Sequence, residues 1–415
     1  MSGPEIDTLE GDGYAETSQY AAHLDRGWSM LDRGDHSAAR RSAQHAQKLR
    51  PEAPDPAVLL AAVSLAEGEA EESVRWYERA QELDPEYLEP FAAAAHVMLF
   101  DLQDPERALS YCDQALSLAS ADPLERIDLE LLAAECKLLS ERVGEARTQL
   151  SAIDGLDTIE AALLADGDAA DGALSRLLGA QDDALDDEEL QDVVHKAMQL
   201  ALRLARLWLD LREPDGALAW LSRLTTRYPN DADAWYLLSE AETVAGNGHA
   251  AACAALQSLQ LDLSWELPEW VPEPTALHKE ILEFLRHSDH AEIKRTVHTA
   301  RTFVVVVHDT PAVELVLEGL DPRVPALVLV SRATPDGAPE PTGLAVYRRN
   351  IARMCDGQPR FARELGECIE TEFSTFAEGV AQHESELAAA RASLADPGAK
   401  KTRKTRTRKR PATDA

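Results

Sequence analysis

Acidic and hydroxyl side chains recur at one-turn spacing in the stretch GECIETEFSTFAEG, which runs from Gly366 to Gly379. It comes after a valine-rich run, FVVVVHDTP, that predicts a buried strand. Buried strands and polar helices together often carry hydrolytic chemistry, but this stretch contains no histidine and no obvious nucleophile. Its own residues fit an active site, the remains of one, or an exposed helix face.

Carboxylates and histidines around this stretch could in principle form another kind of metal site; they are Glu370, Glu372, Glu378, His383 and Glu384. Glu378 and His383 are five residues apart, which is a poor spacing for sharing one helix face. The HSDH segment at 287–290 is a second candidate. The spacing favours a solvated helix face for the first set and a surface loop for the second.

Upstream of this region, helix pairs recur with a period of 34 residues. Gly34 and Gly68 fall at the predicted turns, and Pro51 and Pro85 end the first two units. Small or apolar residues then mark one face of the second helix of successive units: Ala39, Ala43 and Ala46; Tyr77 and Ala80; Ala108, Cys112 and Ala115; Ala217, Leu221 and Leu224. One such pair cannot bury its apolar face alone, so the pattern predicts a stack of helix pairs.

This pattern resembles the tetratricopeptide repeat (TPR). The resemblance implies a mostly α-helical solenoid over 20–262, with a groove that takes a peptide or helix of another protein. Residues 154–189, rich in Asp, Ala and Gly, interrupt the pattern. They fit an acidic loop, a poorly ordered linker or a degenerate helix pair.

Proline and tryptophan mark a linker at 263–275, and the character of the chain changes after it. Residues 276–395 combine amphipathic helices with short apolar strands, which predicts a small α+β domain. The ends of the chain, 1–19 and 396–415, are strongly polar and predict disorder.

Four features of the α+β domain occur in a recognisable order: the strand FVVVVHDTP, a second strand, the segment LAVYRRNIARM, and a helix containing ARELGECIETEF. In this order they resemble the small zincin-like metallopeptidases of bacteria. That family carries a His-Glu-x-x-His zinc motif on the corresponding helix, in which two histidines hold Zn²⁺ and the glutamate is the general base.

Aligned on Tyr347, Arg348, Arg349 and Asn350, the motif falls on TEFST. The resemblance then places Thr371 and Thr375 at the histidine positions and Glu372 at the glutamate. Threonine hydroxyls are poor zinc ligands, and without the metal Glu372 has no activated water to deprotonate. The resemblance therefore implies an inactive domain that holds no metal and no other cofactor.

Charge is distributed unevenly along the chain, whose net charge is -33. A basic tail contains eight of the positive residues: Lys400, Lys401, Arg403, Lys404, Arg406, Arg408, Lys409 and Arg410. The acidic remainder should repel nucleic acid and anionic membranes, whereas the tail could contact nucleic acid or another polyanion, fold back on the acidic body, or act only as a solubilising segment.

Five scattered cysteines, an acidic N-terminus and the lack of an apolar span indicate a cytoplasmic protein, and the resemblance to the zincin-like family implies a bacterial one. These observations together predict a protein-interaction scaffold with a TPR groove and a catalytically inactive zincin-like domain. Two alternatives remain open: a metal-dependent peptidase with a non-standard site around Glu372, and a nucleic-acid-associated factor that acts through the tail.

Overall fold

The structure is a computed structural model that describes residues 9–118, 122–177, 187–299, 302–331, 340–355 and 357–395. These residues form nineteen helices and three strands. They divide into two compact units, Met1–Ala254 and Ala255–Ala415, which are described separately below. No helix in the described ranges is long and apolar enough to cross a membrane.

The repeat unit, Met1–Ala254, contains thirteen complete helices and the start of a fourteenth. They are α1 (Leu9–Asp32), α2 (His36–Leu49), α3 (Asp55–Ala66), α4 (Ala70–Leu83), α5 (Glu89–Phe100), α6 (Pro105–Leu118), α7 (Pro123–Leu139), α8 (Val143–Ala152), α9 (Leu156–Leu164), α10 (Asp168–Leu177), α11 (Asp187–Asp210), α12 (Pro214–Arg227), α13 (Ala232–Val244) and α14 (Gly248–Ser264). Odd-numbered and even-numbered helices alternate as the first and second members of successive pairs.

The turn inside a pair contains a left-handed residue in each of the seven pairs. The residues with positive φ that follow the first helices are Gly34, Gly68, Gln103, Glu141, Gly167, Arg212 and Gly246. The amide of this residue donates to the carbonyl three residues back in five of the pairs, for example from Gly68 to Leu65 at 2.9 Å. The left-handed residue satisfies carbonyls that the helix end leaves free, so the predicted turns at Gly34 and Gly68 are confirmed.

Small residues lie where helices cross. Ala39, Ala43 and Ala46 are completely buried, as are Ala108, Cys112 and Ala115, which confirms the predicted second-helix faces. Gly27 allows a close approach at its crossing, because an added Cβ would require the buried Leu59 side chain to shift. Stacked helix pairs with these crossings make the unit a TPR-like helical solenoid.

Two segments of the repeat unit bear on the sequence predictions. The helix α1 begins at Leu9, inside the segment 1–19 for which the sequence predicts disorder, and the Tyr20 hydroxyl of this helix donates to Asp55 at 2.7 Å. The first eight residues lie outside the description. Of the three interpretations of 154–189, the structure has the helix pair, α9 and α10. Ile159, Ala162 and Leu163 of α9 are buried in the core of the repeat unit. Residues 178–186 are not described.

The C-terminal unit, Ala255–Ala415, places helices beside a three-stranded sheet. Its elements after α14 are α15 (Pro274–His287), α16 (Ala291–Thr299), β1 (Val304–His308), α17 (Val313–Leu317), β2 (Ala326–Val330), β3 (Pro341–Tyr347), α18 (Arg348–Ala352) and α19 (Gln358–Ala395). The strand order is β1-β3-β2, with β1 parallel and β2 antiparallel to β3. The predicted mixture of strands and helices is therefore confirmed.

One face of this sheet forms the core of the unit. Val305, Leu344 and Val328 come from the three strands and lie on that face. They pack with apolar residues of α15, α16 and α19, among them Phe361 and Phe373, which are almost completely buried. Four-residue spacing of apolar side chains along α19 keeps them on one stripe, which is what a helix needs to cover a sheet.

The boundary between the units lies earlier than the sequence indicated. The array was predicted to extend to residue 262 and the linker to cover 263–275, yet the C-terminal unit begins at Ala255, inside α14. Asp262 explains the difference. It is 2% exposed and lies between the guanidinium groups of Arg323 and Arg353, so the last turns of α14 belong to the fold of the second unit.

Candidate functional site

Glu372 lies on α19 beside the edge strand β2. Its Oε1 accepts a hydrogen bond from the backbone N–H of Val328 at 2.8 Å. An edge strand leaves such N–H groups without a partner in the sheet, so the carboxylate satisfies the N–H of Val328. Burial raises the pKa of the Glu372 carboxyl, and the bond from Val328 opposes part of that rise.

The two threonines predicted at metal-ligand positions lie away from this contact. Thr371 and Thr375 are both exposed on α19, one turn apart. Thr371 and Glu372 border a cavity of about 330 Å³ together with Glu364, Glu367 and Cys368, whereas Thr375 does not. Among the described residues, no group of three or more histidine, cysteine or carboxylate side chains is placed to hold a metal ion.

The alternative metal-binding residues are dispersed. Ser374 donates to the carbonyl of Glu370 within α19, and its hydroxyl is 3.4 Å from Nε2 of His290. His290 Nδ1 is buried with no hydrogen-bond partner, so no carboxylate orients this imidazole as a general base would require. The side chains of His383 and Glu384 lie outside the description.

The YRRN segment, Tyr347 to Asn350, has a structural role of its own. Arg348 Nε donates to Asp309 at 2.5 Å and its Nη1 to the carbonyl of Pro272 at 3.1 Å. Asn350 Nδ2 donates to the carbonyls of Pro322 and Val324 at 3.0 and 2.8 Å. These bonds attach the end of β3 to the loops that follow β1 and precede β2.

Arg349, the third residue of this segment, reaches back to α14. It is 7% exposed, and its Nη1 donates to the carbonyls of Asp262 and Trp265. Asp262 in turn accepts from Arg323 Nε at 2.9 Å and from Arg353 Nη1 at 2.7 Å. Sequence reasoning missed Asp262 because it had been assigned to the repeat array, although the excess of arginine around YRRN could have indicated a buried acidic partner.

A second candidate site lies on the first helices of the repeat unit. In six of the seven first helices, all except α9, the crossing position holds a buried small residue: Gly27, Ala61, Ala95, Ala134, Ala205 and Ser239. The next residue is at least partly accessible in every case and changes chemistry from pair to pair: Trp28, Ala62, His96, Glu135, Arg206 and Glu240. We call the first set the packing row and the second set the variable row. Each residue of the variable row comes directly after a residue of the packing row in the sequence.

Carboxylates occupy another repeated position, six residues before the crossing residue. Four of the six pairs have an acid there, and we call Asp55, Glu89, Asp128 and Asp233 the acidic row. Tyr hydroxyls donate to two of its members, from Tyr20 to Asp55 and from Tyr87 to Glu89. The acidic row can be found in the sequence, but only after the helix pairs are aligned with one another at their crossing residues.

Ion pairs connect both rows across neighbouring first helices. Arg203 of α11 contacts Asp128 and binds Glu135 through two nitrogens, at 2.5 and 2.6 Å. Burial favours a raised pKa for Asp128, but the hydrogen bond from His96 and the charge of Arg203 outweigh it and hold that pKa below its usual value. Asp128 is therefore ionised at neutral pH.

The eight basic tail residues, Lys400, Lys401, Arg403, Lys404, Arg406, Arg408, Lys409 and Arg410, lie outside the described residues. Their role as a polyanion contact stays a prediction from composition.

Comparison with known proteins gives similarity at the level of solved structures. No protein-family model and no curated protein matches the chain. The type IV pilus biogenesis factor PilW is 17% identical, over 60% of this chain and 94% of PilW, with a TM-score of 0.41. PilF of Pseudomonas aeruginosa is 18% identical, over 60% and 95%, with a TM-score of 0.42. YrrB, a TPR protein, is 16% identical, over 54% and 93%, with a TM-score of 0.32. The assignment of this chain as a TPR-like helical-repeat protein rests on its own helix pairs.

Proposed function

We propose that the protein is an interaction scaffold whose repeat unit binds a basic segment of another protein. The observation that carries this proposal is the pairing of two rows on the first helices. A row of fixed small residues packs the helices, and the row directly after it varies from tryptophan to histidine, glutamate and arginine. Side chains of varied chemistry beside residues of constant packing support a surface that contacts several side chains of an extended partner, one per helix pair.

The acidic row supports a basic partner. Asp55, Glu89, Asp128 and Asp233 repeat along the unit, within a chain of net charge -33. Complementary charge accelerates encounter and selects partners, while large side chains such as Trp28 supply contact area. Trp28 is 37% exposed, so its indole is available without unfolding the helix pair.

We also propose that the C-terminal unit is a zincin-like domain without catalytic activity. Support comes from the order of its motifs, from the threonines at the two ligand positions, and from the bond between Glu372 and Val328, which gives the glutamate a structural role. The zinc content of the purified full-length protein distinguishes this proposal from the alternative of a peptidase with a non-standard metal site.

The binding proposal can be tested with full-length protein. A partner recovered by affinity capture is purified, and its binding is measured for the wild type, Trp28→Ala and Arg75→Ala. Arg75 is a matched control, because it is exposed on the second helix α4, away from both rows. We expect Trp28→Ala to weaken binding about tenfold or more and Arg75→Ala to leave it unchanged.

The dependence of partner binding on salt concentration is a second measurement in the same experiment. Binding of a basic segment should weaken as ionic strength rises, because exposed charges are screened. Partner binding that is insensitive to both salt and Trp28→Ala would contradict the proposal.

A further inference from the structure

The first helices of the repeat unit carry a third repeated position, five residues after the packing row. This position is exposed in all six aligned pairs, where it holds Asp32, Ala66, Phe100, Leu139, Asp210 and Val244. We call these six residues the terminal row. Phe100 is 58% exposed and Leu139 is 63% exposed, and no large apolar side chain among the described residues is more exposed than these two.

The acidic row, the variable row and the terminal row lie on one face of each first helix. An α-helix turns about 100° per residue, so positions six residues before, one after and five after the packing row point within about 40° of one another. His96 and Phe100 show this directly, because these members of the variable and terminal rows stack with 5.8 Å between ring centroids. The acidic and terminal rows are separated by roughly 16 Å along each helix, since each residue adds about 1.5 Å.

The acidic row offers two carboxylates that have no cationic partner in the described part of the chain. Asp55 and Glu89 accept hydrogen bonds from the hydroxyls of Tyr20 and Tyr87, and no described cation lies at ion-pair distance from either. They belong to the second and third pairs. In the fourth pair, by contrast, the acid is already bound to an arginine of α11.

The terminal row is apolar in the same part of the repeat unit. Ala66, Phe100 and Leu139 follow one another in the second, third and fourth pairs. Asp32 in the first pair and Asp210 on α11 bound this apolar stretch on its two sides. The second to fourth pairs therefore present carboxylates along one border of the first-helix surface and exposed apolar side chains along the other.

We propose that the partner of the repeat unit is an amphipathic α-helix, whose basic face contacts Asp55 and Glu89 and whose apolar face contacts Phe100 and Leu139. This inference rests on the function proposed above and specifies its ligand. Charge complementarity selects the basic face, and burial of two exposed apolar side chains selects the other. A helix is about 10–12 Å across, so its long basic side chains on one side and its apolar side chains on the other reach rows roughly 16 Å apart.

The spacing of the helix pairs sets the sequence pattern of this partner. The helices α3, α5 and α7 share one core, and packed helices lie roughly 8–10 Å apart. Seven residues of a partner helix rise about 10.5 Å, so residues that face successive pairs recur at about every seventh position. Three pairs correspond to about fourteen partner residues, with Lys or Arg at this period on one face and Leu, Ile or Phe on the opposite face.

Synthetic peptides and the full-length protein test this inference. The first peptide, about 18 residues long, is a helix with leucines on one face and lysines on the other. The second has the same composition in scrambled order, and the third has serine in place of each leucine. We expect wild-type protein to bind the amphipathic peptide about tenfold or more tightly than the other two, and circular dichroism should show that this peptide gains helix on binding.

A double substitution in the terminal row locates the contact. Phe100→Ser combined with Leu139→Ser should abolish the preference for the amphipathic peptide, and it should fold like the wild type because both side chains are already exposed. The matched control is Val304→Ser combined with Leu317→Ser, at two exposed apolar residues of the C-terminal unit that are 55% and 53% exposed. This control should keep the preference.

The outcomes separate this inference from the function on which it rests. Equal binding of the amphipathic and scrambled peptides, or a preference that survives Phe100→Ser with Leu139→Ser, would overturn the inference. If the serine peptide binds as tightly as the amphipathic one and its binding weakens with salt, the repeat unit binds basic segments and only the amphipathic helix is excluded. Failure to bind any of the three peptides, together with partner binding that ignores Trp28→Ala and salt, would overturn both proposals.

Discussion

The two units use polar residues in opposite ways. In the repeat unit, polar side chains recur at equivalent positions of successive first helices and remain accessible, as Glu89 and Asp233 do. In the C-terminal unit, Asp262, Arg349, Asn350 and Glu372 each occur once and make contacts beneath the surface or at the sheet edge. A repeated surface can vary without loss of the fold, whereas a buried polar contact made once cannot.

The largest effect is expected when Asp262 is changed. Asp262→Ala removes the buried carboxylate that accepts hydrogen bonds from Arg323 and Arg353, which should cost about 3–5 kcal/mol of unfolding free energy. Denaturant unfolding measures this loss. Asp289→Asn is the control, because Asp289 pairs with Lys294 on the surface of the same unit and should change stability little. Equal effects of the two substitutions would contradict the structural importance of the buried Asp262 carboxylate.

An intermediate effect is expected at Glu372. Glu372→Ala leaves the N–H of Val328 without its acceptor and should destabilise the protein by about 1–3 kcal/mol. Glu372→Gln keeps an oxygen acceptor and removes the partly buried charge, so it should be close to wild type. Comparing the two by thermal unfolding separates hydrogen bonding from charge.

The pH dependence of Glu372→Gln sharpens this comparison. The pKa of Glu372 is raised in the folded state, so its contribution to stability is present below the unfolded pKa and is lost as the pH rises through the folded pKa. Relative to wild type, Glu372→Gln should therefore gain stability as the pH rises through that range. The opposite trend would mean that the carboxylate, rather than the acid, is favoured at this position.

The smallest effects are expected at the turns of the repeat unit. Arg212 has positive φ at the position that Gly68 occupies in another pair. Arg212→Gly should stabilise the protein by about 0.5–1 kcal/mol, and Gly68→Ala should destabilise it by about 1 kcal/mol, because a Cβ disfavours the left-handed conformation. Chemical denaturation of both variants checks the sign. Effects of the same sign would contradict a shared turn geometry.

Much of the repeat unit could be predicted from sequence, because its signals are local and repeated. Helix ends are marked by nearby prolines, such as Pro51 and Pro85, and helix crossings are marked by alanines in the same helix. The pair α9–α10 was harder to predict because its acidic composition matches a loop as well as a helix, and only burial of Ile159 and Leu163 distinguishes them.

The sequence predicted the strands and helices of the C-terminal unit but not the side-chain contacts between them. Strand and helix periodicity located β1, β2, β3 and α19, but the partners of Asp262 and Glu372 are 44 or more residues away in the chain. No local pattern specifies such pairs. The resemblance based on YRRN drew attention to Glu372, and the structure adds that its carboxylate accepts a hydrogen bond from the edge strand β2.

Zinc content is the most direct test of the proposal that this protein binds partners and does not catalyse metal-dependent hydrolysis. Full-length protein is purified without chelators, supplied with zinc, desalted, and analysed for zinc per chain, alongside Glu372→Gln and His383→Gln. The account predicts no stoichiometric zinc in any of the three. Stoichiometric zinc in the wild type that is lost in either variant would contradict it and establish a metal site around Glu372.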